Sequence, residues 1–156
     1  MEKDNKVQAI DVGQYVIDSF FISDRSITTL KLQKLVFYCQ AWSLVWDDEP
    51  LFEEDFEAWV NGPVVVSLFH SLQGFYSCPR TIEGADVSHL SNNQKDTINH
   101  VIKYYGDFTS SQLVELTHRE DPWKIARVGL STFTPSKNII SKESTLDFYS
   151  TQQSDE

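Results

Sequence analysis

Leu30-Lys31-Leu32-Gln33-Lys34-Leu35-Val36-Phe37-Tyr38-Cys39-Gln40-Ala41-Trp42-Ser43-Leu44-Val45-Trp46 decides how this chain folds. Leu32, Leu35, Cys39, Trp42 and Trp46 recur at three-four spacing, which predicts a helix. Thr28 or Thr29 is placed to cap it. From Leu35 onward almost every side is apolar, and a helix apolar all round is a buried one. Its first turns stay amphipathic, with Lys31 and Lys34 on one side. The rest of the chain must therefore wrap this helix.

Working outward, Asp11-x-x-Gln14 reads as a capping box before a stripe of Val16, Ile17, Phe20 and Phe21. That helix ends near Ser23-Asp24. Asp47-Asp48-Glu49-Pro50 stops the central helix. Phe56–Val60 suits a short strand, so one β-hairpin near residues 51–62 is allowed. In Asn61-Gly62-Pro63, Gly permits positive φ and Pro suits the first position of a helix. Val65, Leu68, Phe69 and Leu72 continue as a helical stripe ending near Gly74.

Residues 77–90 read as a loop with a brief extended piece at Arg80–Glu83. Ser91-x-x-Gln94 and Thr109-x-x-Gln112 are further capping boxes, and Gly106 is a C-terminal stop between them. Asp121-Pro122 opens a short helix through about Arg127, with Asp as its cap. Residues 129–140 are loop. Ser141 begins a last helix with Leu146 and Phe148 or Tyr149 inward. The expected fold is mainly α: a compact single-domain bundle of six to seven helices around the buried central one. It spans residues 1–150, with 151–156 a disordered tail.

Composition narrows the function. The chain has 156 residues and a formal net charge of −10. Duplex DNA repels such a charge, because affinity there comes from Lys and Arg on phosphates. No nucleic-acid partner is expected. No apolar run approaches a membrane span, and the polar start Met1–Lys6 lacks the pattern of a signal peptide. Two cysteines without a Cys-x-x-Cys read as reduced thiols in a cytoplasmic protein.

Chemistry is sought and not found. Glu115-x-x-His118 is half of a di-iron helical motif, but no second Glu-x-x-His follows. No phosphate loop or nucleophile elbow occurs. No cofactor or metal is expected. Glu53, Glu54, Asp55 and Glu57 read as a solvated edge, with a surface for a basic partner as the rival reading. Trp59 and Trp123 suit core packing with an N–H to a carbonyl, or interface anchors. Lys31, Lys34, His118 and Arg119 join them as candidate partner-binding residues.

Five motifs in order resemble the Panacea-domain family, best known as antitoxins. They are the Asp11–Phe21 helix, Leu30–Leu35 running into Phe37–Trp42, Pro50-Leu51-Phe52, Glu57-Ala58-Trp59 with Gly62-Pro63-Val64, and Leu113/Leu116-Thr117-His118 with Pro122-Trp123. Leu32, Leu35, Tyr38, Gly62, Pro63, Thr117 and Pro122 are then fold-determining motif positions. The resemblance implies an antitoxin that neutralises a cognate protein toxin, encoded nearby, by direct binding. It implies no enzyme, and it leaves a homodimer open. A phage or mobile-element regulator, or a proteolysis adaptor binding a host protein, is the alternative. An enzyme centred on His118, with Glu115 or Asp121, is the third. Several relatives carry an added DNA-binding segment, for which about ten leading residues leave no room. Residues 75–90 fit the pattern poorly and read as a variable loop that helps choose the partner.

Overall fold

A computed structural model describes residues 6–153. Helix α1 spans Ala9–Ile22 and α2 spans Thr29–Trp46. A hairpin of β1 (Phe56–Trp59) and β2 (Gly62–Val65) follows, then α3 (Val66–Ser71). A 3-10 turn at Val87–His89 leads to α4 (Asn92–Tyr105), α5 (Ser110–Arg119) and α6 (Asp121–Ala126). A two-residue strand β3 (Ile139–Ile140) precedes α7 (Lys142–Gln153). The bundle, its seven α-helices among the described residues and its central helix match the expectation.

Helix α2 is the axle. Its residues 32–44 are all buried, polar ones included, and α1, α4, α5, α7 and β2 pack around it. Thr28 caps it by accepting from the Lys31 N–H. Tyr38 lies at the centre, stacked on Tyr105 at 4.1 Å between ring centroids. Ser91 and Thr109 complete the capping boxes of α4 and α5 with Gln94 and Gln112.

Helix ends show where local reading fell short. Helix α1 starts earlier than expected: Gln8 is its N-cap and Asp11 is the third-position partner of that box. Asp11 also has a tertiary task, accepting from the Asp86 N–H and facing His89. At the other end Asp24 takes left-handed φ of +58°, and Arg25 N–H donates to the Phe20 carbonyl. That is a glycine-type helix stop made with aspartate. Gly106 is α-helical at φ −65° and ends α4 without the left-handed turn expected of it. Asp121 lies inside α6, whose N-cap is Glu120. Leu146 is only half-buried, and Tyr149 is the inward residue of α7. That helix continues to Gln153, so residues 151–153 are helical, not tail. The rest of the expected tail and the Met1–Asn5 start lie outside the described residues.

Three buried glutamines tie extended segments to helices. Gln14 accepts from Ile82 N–H and donates to the Arg80 carbonyl. Gln33 does the same with both backbone groups of Val65. Gln40 accepts from Leu51 N–H and donates to the Phe52 carbonyl. A primary amide presents the same donor and acceptor as a peptide unit, so each acts as one rung of a missing strand. Residues 80–83 form no strand: the run bends at Arg80 and turns at Glu83, and Arg80 and Ile82 pair with the Gln14 side chain.

Candidate interaction site

The hairpin organises the site. β1 pairs antiparallel with β2 and with β3, giving the order β2-β1-β3. A three-stranded sheet this short leaves outward backbone groups to satisfy. On the β2 edge, Gln33 takes both groups of Val65, and Lys34 Nζ donates to the Pro63 carbonyl at 3.2 Å. Pro63 itself has no N–H to leave unpaired. It sits in the strand and not at the helix start its motif suggested. Beyond β3, Asn138 accepts from the Ala58 N–H and Arg127 Nη1 donates to the Ala58 carbonyl at 2.9 Å. Arg127 Nη2 gathers the carbonyls of Ser131, Thr132 and Thr134.

Gly62 lets these layers touch. Its φ is +112°, and a Cβ there would stand 2.6 Å from Lys34 Cε and 2.9 Å from Thr117 Oγ1. His118 stacks on Trp123 at 4.0 Å and 15° between ring planes. The Trp123 indole N–H donates to the Trp59 carbonyl at 2.8 Å. Arg127 covers the Trp123 ring at 4.9 Å. Residues from three distant stretches thus meet around one hairpin.

Electrostatics follow from burial. Lys34 is wholly buried with no carboxylate of the described residues paired to it, and burial lowers its pKa to about 7. Burial also lowers His118; the Val60 backbone carbonyl works against this, while Lys34 and Arg127 add to the lowering. His118 Nε2 is buried without a partner in hydrogen-bond geometry among the described residues. Next to this cluster, burial raises the Glu120 carboxyl, although hydroxyls of Tyr149 and Tyr38 donate to its Oε1 at 2.6 and 2.7 Å.

The six candidate partner-binding residues divide. Lys34 and Trp123 are buried in the core. Lys31 is turned inward, its Nζ on the Gly106 carbonyl and over the Phe20 ring. His118 is half-buried under Trp123. Arg119 is exposed, and Trp59 is half-buried like Lys31 and His118. The acidic run is not a plain solvated edge either. Glu54 accepts from Ala9 N–H and Ser67, Asp55 pairs with Lys142, and Glu57 accepts from the Trp59 indole. Among the described residues no group of His, Cys, Asp and Glu could hold a metal, and no helix is long and apolar enough to cross a membrane.

Trp59 opens onto a mostly apolar cleft of about 550 Å³, bordered by Phe69, Phe75, Val60 and Pro135. Beside it runs the segment after α6, where Val128 and Phe133 are 78% and 83% exposed; Ile125 at the end of α6 and Ile139 in β3 are about half exposed. These exposed apolar side chains lie within one stretch of sequence, residues 125–139. Sequence reading misses this stretch, because the loop between α6 and β3 has no periodicity to read.

Residues 32–124 match the family model described as antitoxin SocA-like, Panacea domain. The chain belongs to this family. It is 30% identical over 138 residues to antitoxin SocA of Caulobacter vibrioides (strain NA1000 / CB15N), covering 81% of this chain and 73% of that one. No solved structure matches it. The Panacea match contains Lys34, Gly62, Pro63, Thr117, His118 and Trp123, the residues that frame the hairpin. It ends before Ile125, where the exposed apolar stretch begins. The hairpin and the residues that frame it thus lie inside the matched span, while the exposed stretch lies outside it.

Proposed function

We propose that this chain is an antitoxin that neutralises its cognate toxin by direct protein–protein contact, and that it is not an enzyme. Membership of the antitoxin family carries the reading. The geometry supports it: the polar motif residues are spent on holding the hairpin, and the accessible features are an apolar cleft and exposed hydrophobics. Those are the materials of an interface, where aromatic and arginine anchors dominate the energy. The proposed contact face is the Trp59 cleft with the 125–139 segment. The toxin is proposed to be encoded nearby, the pair to act in the cytoplasm, and a net charge of −10 to favour a basic partner through faster encounter.

The test is to induce the adjacent reading frame alone and then with this protein, recording growth and copurification. Rescue with a stable complex is the expected result. Rescue without any complex would instead support catalysis or hand-over to a protease. A harmless neighbour would leave a regulator of a host protein as the reading.

A further inference from the structure

A second cleft, of about 710 Å³, lies on another side of the central helix. Its lining is aromatic: Trp42, Trp46, Tyr104, Tyr105 and Tyr149, with Glu120 among them. Trp46 and Tyr104 are 43% and 70% exposed, so their rings are available to an incoming group. Glu120 is the anion. Both tyrosine hydroxyls converge on its Oε1. Its Oε2 receives no hydrogen bond from the described residues, yet it is not among their sealed, unpartnered polar atoms. Glu120 thus borders the cleft with one carboxylate oxygen that no described residue engages.

Two further features favour a cation here. Residues in the last turns of α2, α4, α5 and α7 border the cleft, and helix C-terminal ends carry partial negative charge. The whole chain is acidic. Against it stand Lys103 on the rim and Arg119 close enough to Glu120 to favour its ionised form. Of the cationic side chains, arginine suits this setting. Its guanidinium is planar, weakly hydrated, stacks on aromatic faces and meets a carboxylate edge-on, whereas a lysine ammonium is compact and strongly hydrated.

We propose that this cleft receives an arginine side chain of the partner protein, with Glu120 Oε2 as its acceptor and the rings of Trp46 and Tyr104 as its walls. The assignment deepens the antitoxin reading and rests on it for the partner. The cleft is large enough to take the side chain together with flanking backbone. It gives the complex a polar, charge-selective anchor separate from the apolar Trp59 cleft.

The probe is N-acetyl-arginine amide, titrated into the full chain and followed by tryptophan fluorescence and the indole N–H resonance of Trp42. Saturable binding in the millimolar range is expected, weakening as salt is raised. The neutral isostere N-acetyl-citrulline amide should bind at least tenfold more weakly. Glu120→Gln keeps an oxygen for the two tyrosine hydroxyls but removes the charge, and should cost at least tenfold. Tyr104→Leu, at an exposed position that the fold does not need, should cost at least threefold; Lys103→Ala should tighten binding. Equal binding of citrulline, or arginine binding unchanged in both Glu120→Gln and Tyr104→Leu, would overturn the assignment. So would failure of arginine to bind at all. None of these results touches the antitoxin reading, which the co-expression test decides separately.

Discussion

Lys34 on the central helix donates to the Pro63 carbonyl of the hairpin at 3.2 Å, and both residues are buried. One lysine therefore ties the axle of the bundle to its sheet edge, without a counter-ion. A buried ammonium with one acceptor is held in its charged form only weakly. That explains a pKa brought from 10.5 to about 7.

The consequence is a pH-dependent stability with a definite sign. Between pH 7 and 10.5 the unfolded chain keeps the Lys34 proton and the folded chain releases it. Stability then rises with pH. From pH 7 to 8.5 the gain from this group should be about 1.5 kcal/mol. Above that window the thiols of buried Cys39 and half-buried Cys78, both held protonated by their burial, act in the opposite direction. Lys34→Met should remove the Lys34 component and gain about 1–3 kcal/mol at pH 7, the lost hydrogen bond offsetting part of the relief. Urea unfolding of both proteins at pH 7.0 and 8.5 measures it; parallel changes in the two would refute the assignment.

Gly62 is required for two separable reasons, its φ of +112° and the approach of Lys34 and Thr117. Gly74 has a φ of +91° and open space around its Cβ position. Gly74→Ala should therefore cost about 1–2 kcal/mol, the backbone term alone. Gly62→Ala adds crowding in a packed interior and should cost about 3 kcal/mol or more. Thermal unfolding of the two variants separates the terms.

How much of this was readable in the sequence depends on range. Thr28, Ser91 and Thr109 act within four residues of themselves, so their caps were legible. The buried helix was legible because its apolar positions surround the axis. Gly62 reads as a positive-φ residue, as found, but Pro63 reads as a helix opener and sits in a strand. Proline opens a helix or sits at a strand edge by the same lack of an N–H, and only Gln33 and Lys34 across the chain decide between them. Lys34 reads as a candidate for partner contact, yet it is wholly buried. A polar Gln33-Lys34 pair at the start of so apolar a helix was the available hint. Ile139–Ile140 is too short to show any period. Glu120 drew no notice, since its partners Tyr38 and Tyr149 are far away in sequence.

Arg127 is the other tie on the sheet, spending one Nη on Ala58 and the other on three carbonyls of the segment that follows α6. A single ammonium cannot replace that fork. Arg127→Lys should cost about 2–4 kcal/mol, because buried carbonyls lose their donors. It should also expose residues 128–137 to cleavage. Limited proteolysis with mass identification reads this directly, and an unchanged cleavage pattern would show that the segment is held by something else.

His89 faces Asp11 at 3.0 Å and Asp86 at 3.5 Å. The Asp11 hydrogen bond raises its pKa, with burial opposing and both carboxylates adding. For a raised histidine the stabilisation is complete below its ordinary pKa and is lost as pH climbs through the folded value. The imidazole resonances should titrate with a midpoint above 6.5. His89→Gln should abolish the extra stability toward acid that the native protein shows relative to the variant.

His118 and Phe133 distinguish a binding protein from an enzyme. His118 is stacked against Trp123 inside the frame, while Phe133 is 83% exposed on the proposed contact face. A catalytic His118 would make His118→Ala inactive even where the fold is intact. If the protein acts by contact, His118→Ala should instead lose about 1 kcal/mol of stability, the worth of the ring stacking, and keep rescue at growth temperatures below its unfolding transition. Phe133→Asp should do the reverse. It removes an apolar anchor and places a charge where a partner must desolvate it, so affinity should fall at least tenfold with the melting temperature nearly unchanged. Rescue growth and melting temperature, measured together for both variants, decide the matter. Abolished rescue in a fully folded His118→Ala would return the His118-centred enzyme to first place.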